Sequence, residues 1–412
     1  MSAKCTIKLW MSALLLFSCG TGLQSNAEQM STAQLMETSE VAESRPIPAA
    51  EHLENILPLI HGKRVALVAN QTSLVNGVHL VDTLLSSGID ISHVYAPEHG
   101  FRGDQADGAR ISDETDQKTG LKLYSLYGKS KKPTEASLAG IDVVVFDIQD
   151  VGVRFYTFIS SLHYVMEACA EQGVEVIVLD RPNPLGNTID GPVLKPKFSS
   201  FVGMHPVPLI YGMTIGEYAL MINGEGWLKD KRKAILMVIP CLDYNHQKEY
   251  VLTVPPSPNL PNQASIYLYP SLALFEGTVV SVGRGTDHPF EIAGHPDFSV
   301  GSYSFTPEPN QGSIDPPLKG KQCFGLFFGP ERAALVHESK ELDLSIVLLY
   351  YKVISSKKMF FLESGFFDLL AGSDELRKQI ESGKTESEIR ASWQKDLVFF
   401  KEKRAKYLIY QD

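Results

Sequence analysis

The sequence predicts an α/β fold: a parallel sheet covered by helices on both faces, followed by a smaller mixed α/β domain. Three observations carry this. Short, nearly continuous Val/Ile/Leu runs recur along the chain, as strands buried on both faces require. Helix-period stretches separate them. Clusters rich in Gly, Pro, Asn and Asp follow the runs, where strands should end and turns begin.

In chain order, Ala49–His61 reads as helix, Arg64–Ala69 as strand, His79–Leu85 as helix and Ile91–Ala96 as strand. The strongest strand is Ile141–Ile148, followed by a helix over Tyr156–Gln172 that Gly173 closes, then a strand at Val174–Leu179. Thr214 is suited to cap a helix running to Asn223, with Glu217 three residues on as its reciprocal partner, before a strand at Ala234–Ile239. The run Val254-Pro255-Pro256-Ser257-Pro258-Asn259-Leu260-Pro261 carries too much proline for a helix or a central strand, so it marks a crossing between domains at 49–253 and 254–412. Beyond it, Thr278–Val282 and Phe324–Phe328 read as strands, and Leu342–Ile354 and Ser387–Arg404 as helices.

The N-terminus reads as an export signal. Lys4 and Lys8 precede the apolar run Trp10–Phe17, which is too short to span a bilayer but suits a signal-peptide core. Leu16-Phe17-Ser18-Cys19 resembles a lipobox, so residues 1–18 are expected to be removed and Cys19 lipidated. Cleavage there takes away two lysines and no acid, so the formal charge of −10 becomes −12. Residues 19–48, rich in Ser, Thr, Gln, Glu and Ala without apolar periodicity, then form a flexible tether to a membrane, most simply on the periplasmic face of a bacterial envelope.

Composition excludes several classes. With 44% hydrophobic and 21% charged residues the chain is globular, and its acidic balance argues against nucleic acid as a partner. Apart from Cys5 and Cys19, the cysteines are Cys169, Cys241 and Cys323, an odd, widely spaced set that makes neither a disulfide framework nor a C-x-x-C zinc pair; they are expected to be small buried hydrophobes. Gly128-Lys129-Ser130 ends like a phosphate loop, but Leu123 stands where that motif needs its first glycine. His288 likewise replaces the third glycine after Gly283-Arg284-Gly285, and neither a G-x-S-x-G elbow nor H-E-x-x-H occurs. An acid/base site without metal or cofactor is the expectation.

Polar clusters gather where strands end. Pro97-Glu98-His99-Gly100-Phe101-Arg102-Gly103 follows one strand; Pro97 cannot extend a ladder and the glycines permit turns, so Glu98 should stand at the carboxyl edge, where open α/β sheets bind ligands. Asp147–Tyr156 and Asp180–Gly186 follow two further strands and should converge on that edge. In the second domain, Phe275–Thr278 and Ser281–Glu291 set charge among apolar neighbours.

These blocks, with Val68–Thr72 and Pro256–Pro261, resemble the NamZ-type exo-β-N-acetylmuramidase family, long catalogued as a bacterial domain of unknown function, over about residues 50–410. Departures from its pattern are small, such as Lys122 and His295. The resemblance implies a Rossmann-like N-terminal domain, a smaller C-terminal domain and a cleft between them. It also implies release of N-acetylmuramic acid from the non-reducing end of peptidoglycan fragments, with Glu98 as the leading catalytic residue. Glycosidases pair a carboxylic acid with a second carboxylate. Glu98 is thus expected as general acid, its proton favoured by apolar Phe101 and opposed by Arg102. Asp147, Asp150, Glu276 and Glu291 are candidates for the second role, and the substrate's acetamido oxygen is another. Arg102, Arg154 and Arg284 could fork onto the lactyl carboxylate, and His99, Tyr156 and Asn183 could bind sugar hydroxyls. Two competing functions are a lipoprotein that captures muropeptides without cleaving them and an esterase, for which no activated serine is recognisable.

Overall fold

A seven-stranded sheet runs through the first half of the chain. In the computed structural model, residues 45–98, 100–102, 114–128, 130–354 and 359–412 are described. The signal segment, Cys19 and His99 lie outside them. The strands are β1 (Arg64–Ala69), the small hairpin β2 (Leu74–Val75) and β3 (Val78–His79), β4 (Asp90–Ala96), β5 (Glu114–Thr115), β6 (Lys122–Ser125), β7 (Val143–Asp147), β8 (Glu175–Leu179) and β9 (Ile235–Ile239). The main sheet has the order β5-β6-β4-β1-β7-β8-β9, parallel except for the pair β5–β6.

Alternation along its central strands explains the apolar runs. Val65, Leu67, Ala69, Val143, Val145, Ile177 and Leu179 face one core with α1 (Leu53–Ile60) and α2 (Leu80–Ser86). Ala66, Val68, Val144, Phe146, Val176 and Val178 face the other. With both faces covered, no position can be polar without an internal partner. The second face packs α3 (Glu135–Leu138), α4 (Phe158–Gln172) and α5 (Ile215–Gly224). Gly173 ends α4 in the left-handed conformation, and Thr214 and Glu217 form the capping box of α5.

The expected N-terminal helix is interrupted: a 3₁₀ turn at Ala49–Glu51 meets α1 at His52. Upstream, Ile47 exchanges backbone hydrogen bonds of 2.9 and 3.0 Å with Leu242, so the chain is anchored from there on. Thr278–Val282 is not a strand. Only isolated bridges form there, Thr278 with Phe361 and Ser281 with Gly294, because flanking turns at Gly277 and Gly283 leave no room for a ladder.

After the proline-rich crossing come α6 (Gln263–Leu272), the antiparallel strands β10 (Ile292–His295), β11 (Tyr303–Phe305) and β12 (Cys323–Phe327), and the helices α7 (Gly329–Ser339), α8 (Ser345–Ile354), α9 (Phe366–Ala371), α10 (Glu375–Glu381) and α11 (Glu386–Arg404). Leu268, Tyr350, Phe367 and Trp393 from this smaller, mixed half join the core beneath α4 and α5. Cys169, Cys241 and Cys323 are free and buried.

Candidate active site

Beyond the carboxyl edge of β4 and β7 lies a cleft of about 560 Å³. Both halves of the chain line it. β4 ends at Ala96, Gly100 N donates to Pro97 O at 3.1 Å, and this turn presents half-buried Glu98 to the cleft. The segment between β7 and α4 supplies Phe155, Tyr156, Thr157 and Phe158, and the Thr157 hydroxyl donates to Glu98 Oε2 at 3.2 Å. The Tyr156 hydroxyl donates to Pro256 O at 2.8 Å, and Gln71 Nε2 donates to Pro255 O and Pro256 O. These bonds hold the crossing segment, with Ser257 and Asn259, against the sheet edge.

The second half contributes Glu276, from the turn after α6, and Arg284, whose Nε donates to Glu276 Oε1 at 2.7 Å. Arg284 stands between two glycines with φ of +79°, where a Cβ would meet His288 O at 2.7 Å or Glu308 O at 2.4 Å, so only glycine permits this turn. Its guanidinium lies 5.0 Å from the centre of the Phe290 ring. Phe290 itself has φ of 57°, an uncommon conformation for a bulky side chain, and it is buried beside the cleft. The aromatic wall is rigid: Tyr269 makes edge contacts with Phe155 at 5.3 Å, Tyr156 at 5.9 Å and Phe290 at 4.9 Å.

Of the residues singled out from sequence, Glu98, Tyr156, Glu276 and Arg284 share this cleft. His99 lies outside the described residues, and the other described candidates do not line it, each for a physical reason. Asp147 is fully buried and takes two hydrogen bonds from Arg181, at 2.6 and 2.9 Å, so its charge is spent inside the sheet edge. Asp150 accepts from Gly152 N and the Tyr211 hydroxyl in the interior; burial pushes its carboxyl up to about 6. Glu291 is buried and accepts from Asn262 Nδ2 at 2.7 Å, bracing the residue that caps α6.

Arg102 forks onto Asp116 at 3.0 and 2.8 Å and holds that carboxyl down at about 2. Phe101 packs in the core against His79 rather than beside a reacting group. Arg154 is wholly buried, donating to the carbonyls of Pro192, Val207 and Leu370. Asn183 donates to Met213 O and accepts from Leu185 N, both at 2.8 Å. Sequence reasoning missed Lys131, Tyr127, Thr157, Phe201 and Asn259 as cleft residues. Tyr127 and Lys131 flank the tripeptide Gly128-Lys129-Ser130 of the abandoned phosphate-loop resemblance, and nothing in their spacing marks them.

A cleft at the carboxyl edge of a parallel sheet, walled by aromatic rings and carrying two acidic side chains, defines an α/β protein with a glycosidase-type site. The chain belongs to the NamZ exo-β-N-acetylmuramidase family: residues 65–264 match its N-terminal model and residues 267–410 its C-terminal model. It is 35% identical to the peptidoglycan β-N-acetylmuramidase NamZ of Bacillus subtilis (strain 168), over 98% of this chain and 99% of that protein. Two crystal structures of DUF1343 family proteins from Bacteroides fragilis NCTC 9343 are similar. One aligns with a TM-score of 0.83 at 43% identity over 90% of this chain and all of that one. The other aligns with a TM-score of 0.76 at 29% identity, over 89% and 99%.

Proposed function

We propose that the protein hydrolyses the β-glycosidic bond of N-acetylmuramic acid at the non-reducing end of peptidoglycan fragments, in cell-wall turnover. The supporting observation is that Glu98 and Glu276, from distant parts of the chain, line one aromatic-walled cleft. Glu98 gives its proton to the leaving oxygen, oriented by the Thr157 hydroxyl, and Glu276, oriented by Arg284, is the second carboxylate. Water supplies the hydroxyl that ends on the anomeric carbon. Tyr269 and its neighbours offer apolar ring faces to the sugar and keep bulk water from the reacting bond.

Incubation with a chromogenic β-N-acetylmuramide tests this. Wild type should turn over, and Glu98→Gln and Glu276→Gln should each lose roughly 100-fold or more in kcat while keeping the wild-type Tm. Binding without turnover in the wild type would make the protein a muropeptide-capturing lipoprotein instead.

The same proposal includes the envelope location. Lys4, Lys8 and the run Trp10–Phe17 support export, and Ser18-Cys19 supports lipidation at Cys19 with the mature protein tethered on the periplasmic side. Cys19→Ala should move the protein from the membrane to the soluble fraction. Unchanged partitioning would rule out the lipid anchor.

A further inference from the structure

N-acetylmuramic acid differs from N-acetylglucosamine only in its 3-O-lactyl ether, whose carboxylate is ionised at neutral pH. A site that selects the former needs a cation whose charge is not already consumed. Among the described residues, the cleft is lined by two cations, Lys131 and Arg284. Arg284 is tied to Glu276. The adjacent Lys132 is tied to Glu167 and Glu171, each at 2.8 Å. Lys131 has no carboxylate within ion-pair distance among the described residues; its Nζ lies 3.9 Å from the centre of the Phe201 ring.

That ring is a fixed platform. Phe201 stacks on Tyr164 at 6.2 Å and 14°, and its carbonyl accepts from the Ser160 hydroxyl of α4 at 2.8 Å. A ring face steers an ammonium without neutralising it, so Lys131 is positioned yet retains its charge and its donors.

Resting on the glycosidase reading above, we infer that Lys131 receives the lactyl carboxylate and is the residue by which this cleft selects muramic acid over glucosamine. Arg284 instead serves Glu276. The residue acts on binding and leaves the chemistry at the anomeric carbon to the two glutamates.

Calorimetric titration with N-acetylmuramic acid and with its lactyl amide tests this independently of turnover. The wild type should bind the acid roughly 10- to 100-fold more tightly than the amide, as one charge-assisted hydrogen bond implies. In Lys131→Met that preference should collapse to within about twofold, chiefly through lost affinity for the acid, and Lys131→Arg should restore most of it. A preference that survives in Lys131→Met, one that disappears only in Arg284→Met, or a wild type that does not distinguish acid from amide would overturn the assignment. Absence of muramide turnover together with a Lys131-dependent preference would instead remove the hydrolase reading and leave this one standing.

Discussion

Replacing Arg181 by Met isolates the buried pair that removes Asp147 from the chemistry. Asp147 is fully buried, Arg181 is 5% exposed, and two hydrogen bonds of 2.6 and 2.9 Å join them at the end of β7. The substitution keeps most of the stem volume but leaves the carboxylate without its counter-charge, a loss that costs about 3–5 kcal/mol. For the roughly 370-residue unit from Arg45 to Asp412, the unfolding entropy is about 0.8 kcal/mol/K, so Tm should fall by about 4–6 °C. Asp147→Leu combined with Arg181→Met removes both charges and should recover most of that loss. Scanning calorimetry supplies the Tm, and muramide turnover per folded molecule should stay within about threefold of wild type in both variants. An Asp147→Asn protein with unchanged Tm and turnover reduced a hundredfold would refute the reasoning and return Asp147 to the catalytic set.

Three further outcomes are expected. Burial raises the Asp150 carboxyl from its ordinary value near 3.8 to about 6, so the folded state holds the extra proton and wild-type stability falls as pH rises through that window. The stability of Asp150→Asn relative to wild type should improve by about 2–3 kcal/mol between pH 3.8 and 7, and parallel denaturation curves at the two pH values would contradict this. Gly152→Ala should cost about 2–4 kcal/mol: φ is +77° and the new Cβ would lie 2.4 Å from Asn183 Oδ1, on a side chain locked by two hydrogen bonds. Urea unfolding reads that loss. Arg102→Met should lower stability by less than about 2 kcal/mol and leave the KM for the muramide within twofold, because Arg102 serves Asp116; a tenfold rise in KM would place it in the cleft after all.

Much of the architecture was legible because β1, β7 and β8 are buried on both faces, and such strands must be written in Val, Ile, Leu, Ala and Phe. Capping chemistry is equally local: Thr214 with Glu217 and Gly173 marked helix ends that the structure has. Short elements left no comparable pattern: β6 and β11 are only partly buried, and β10, though buried throughout, is written Ile-Ala-Gly-His. Thr278–Val282 shows the converse, since β-rich composition between two tight turns makes only isolated bridges.

By itself the sequence determined the layered α/β core, the end of β4 at Pro97 and hence the place of Glu98 at the sheet edge, because burial pattern and turn chemistry act over a few residues. Only the tertiary structure decided which polar side chains face a ligand. Asp147 and Arg181 are 34 residues apart, Arg154 and Leu370 are 216 apart, and each pairing consumes the donors or the charge of a residue that looked reactive. Glu98 and Lys131 meet Glu276 and Arg284 across comparably long separations. Whether a polar group is consumed internally or left facing a cleft depends on what the fold brings within about 3 Å of it, and that is a property of packing across the whole chain.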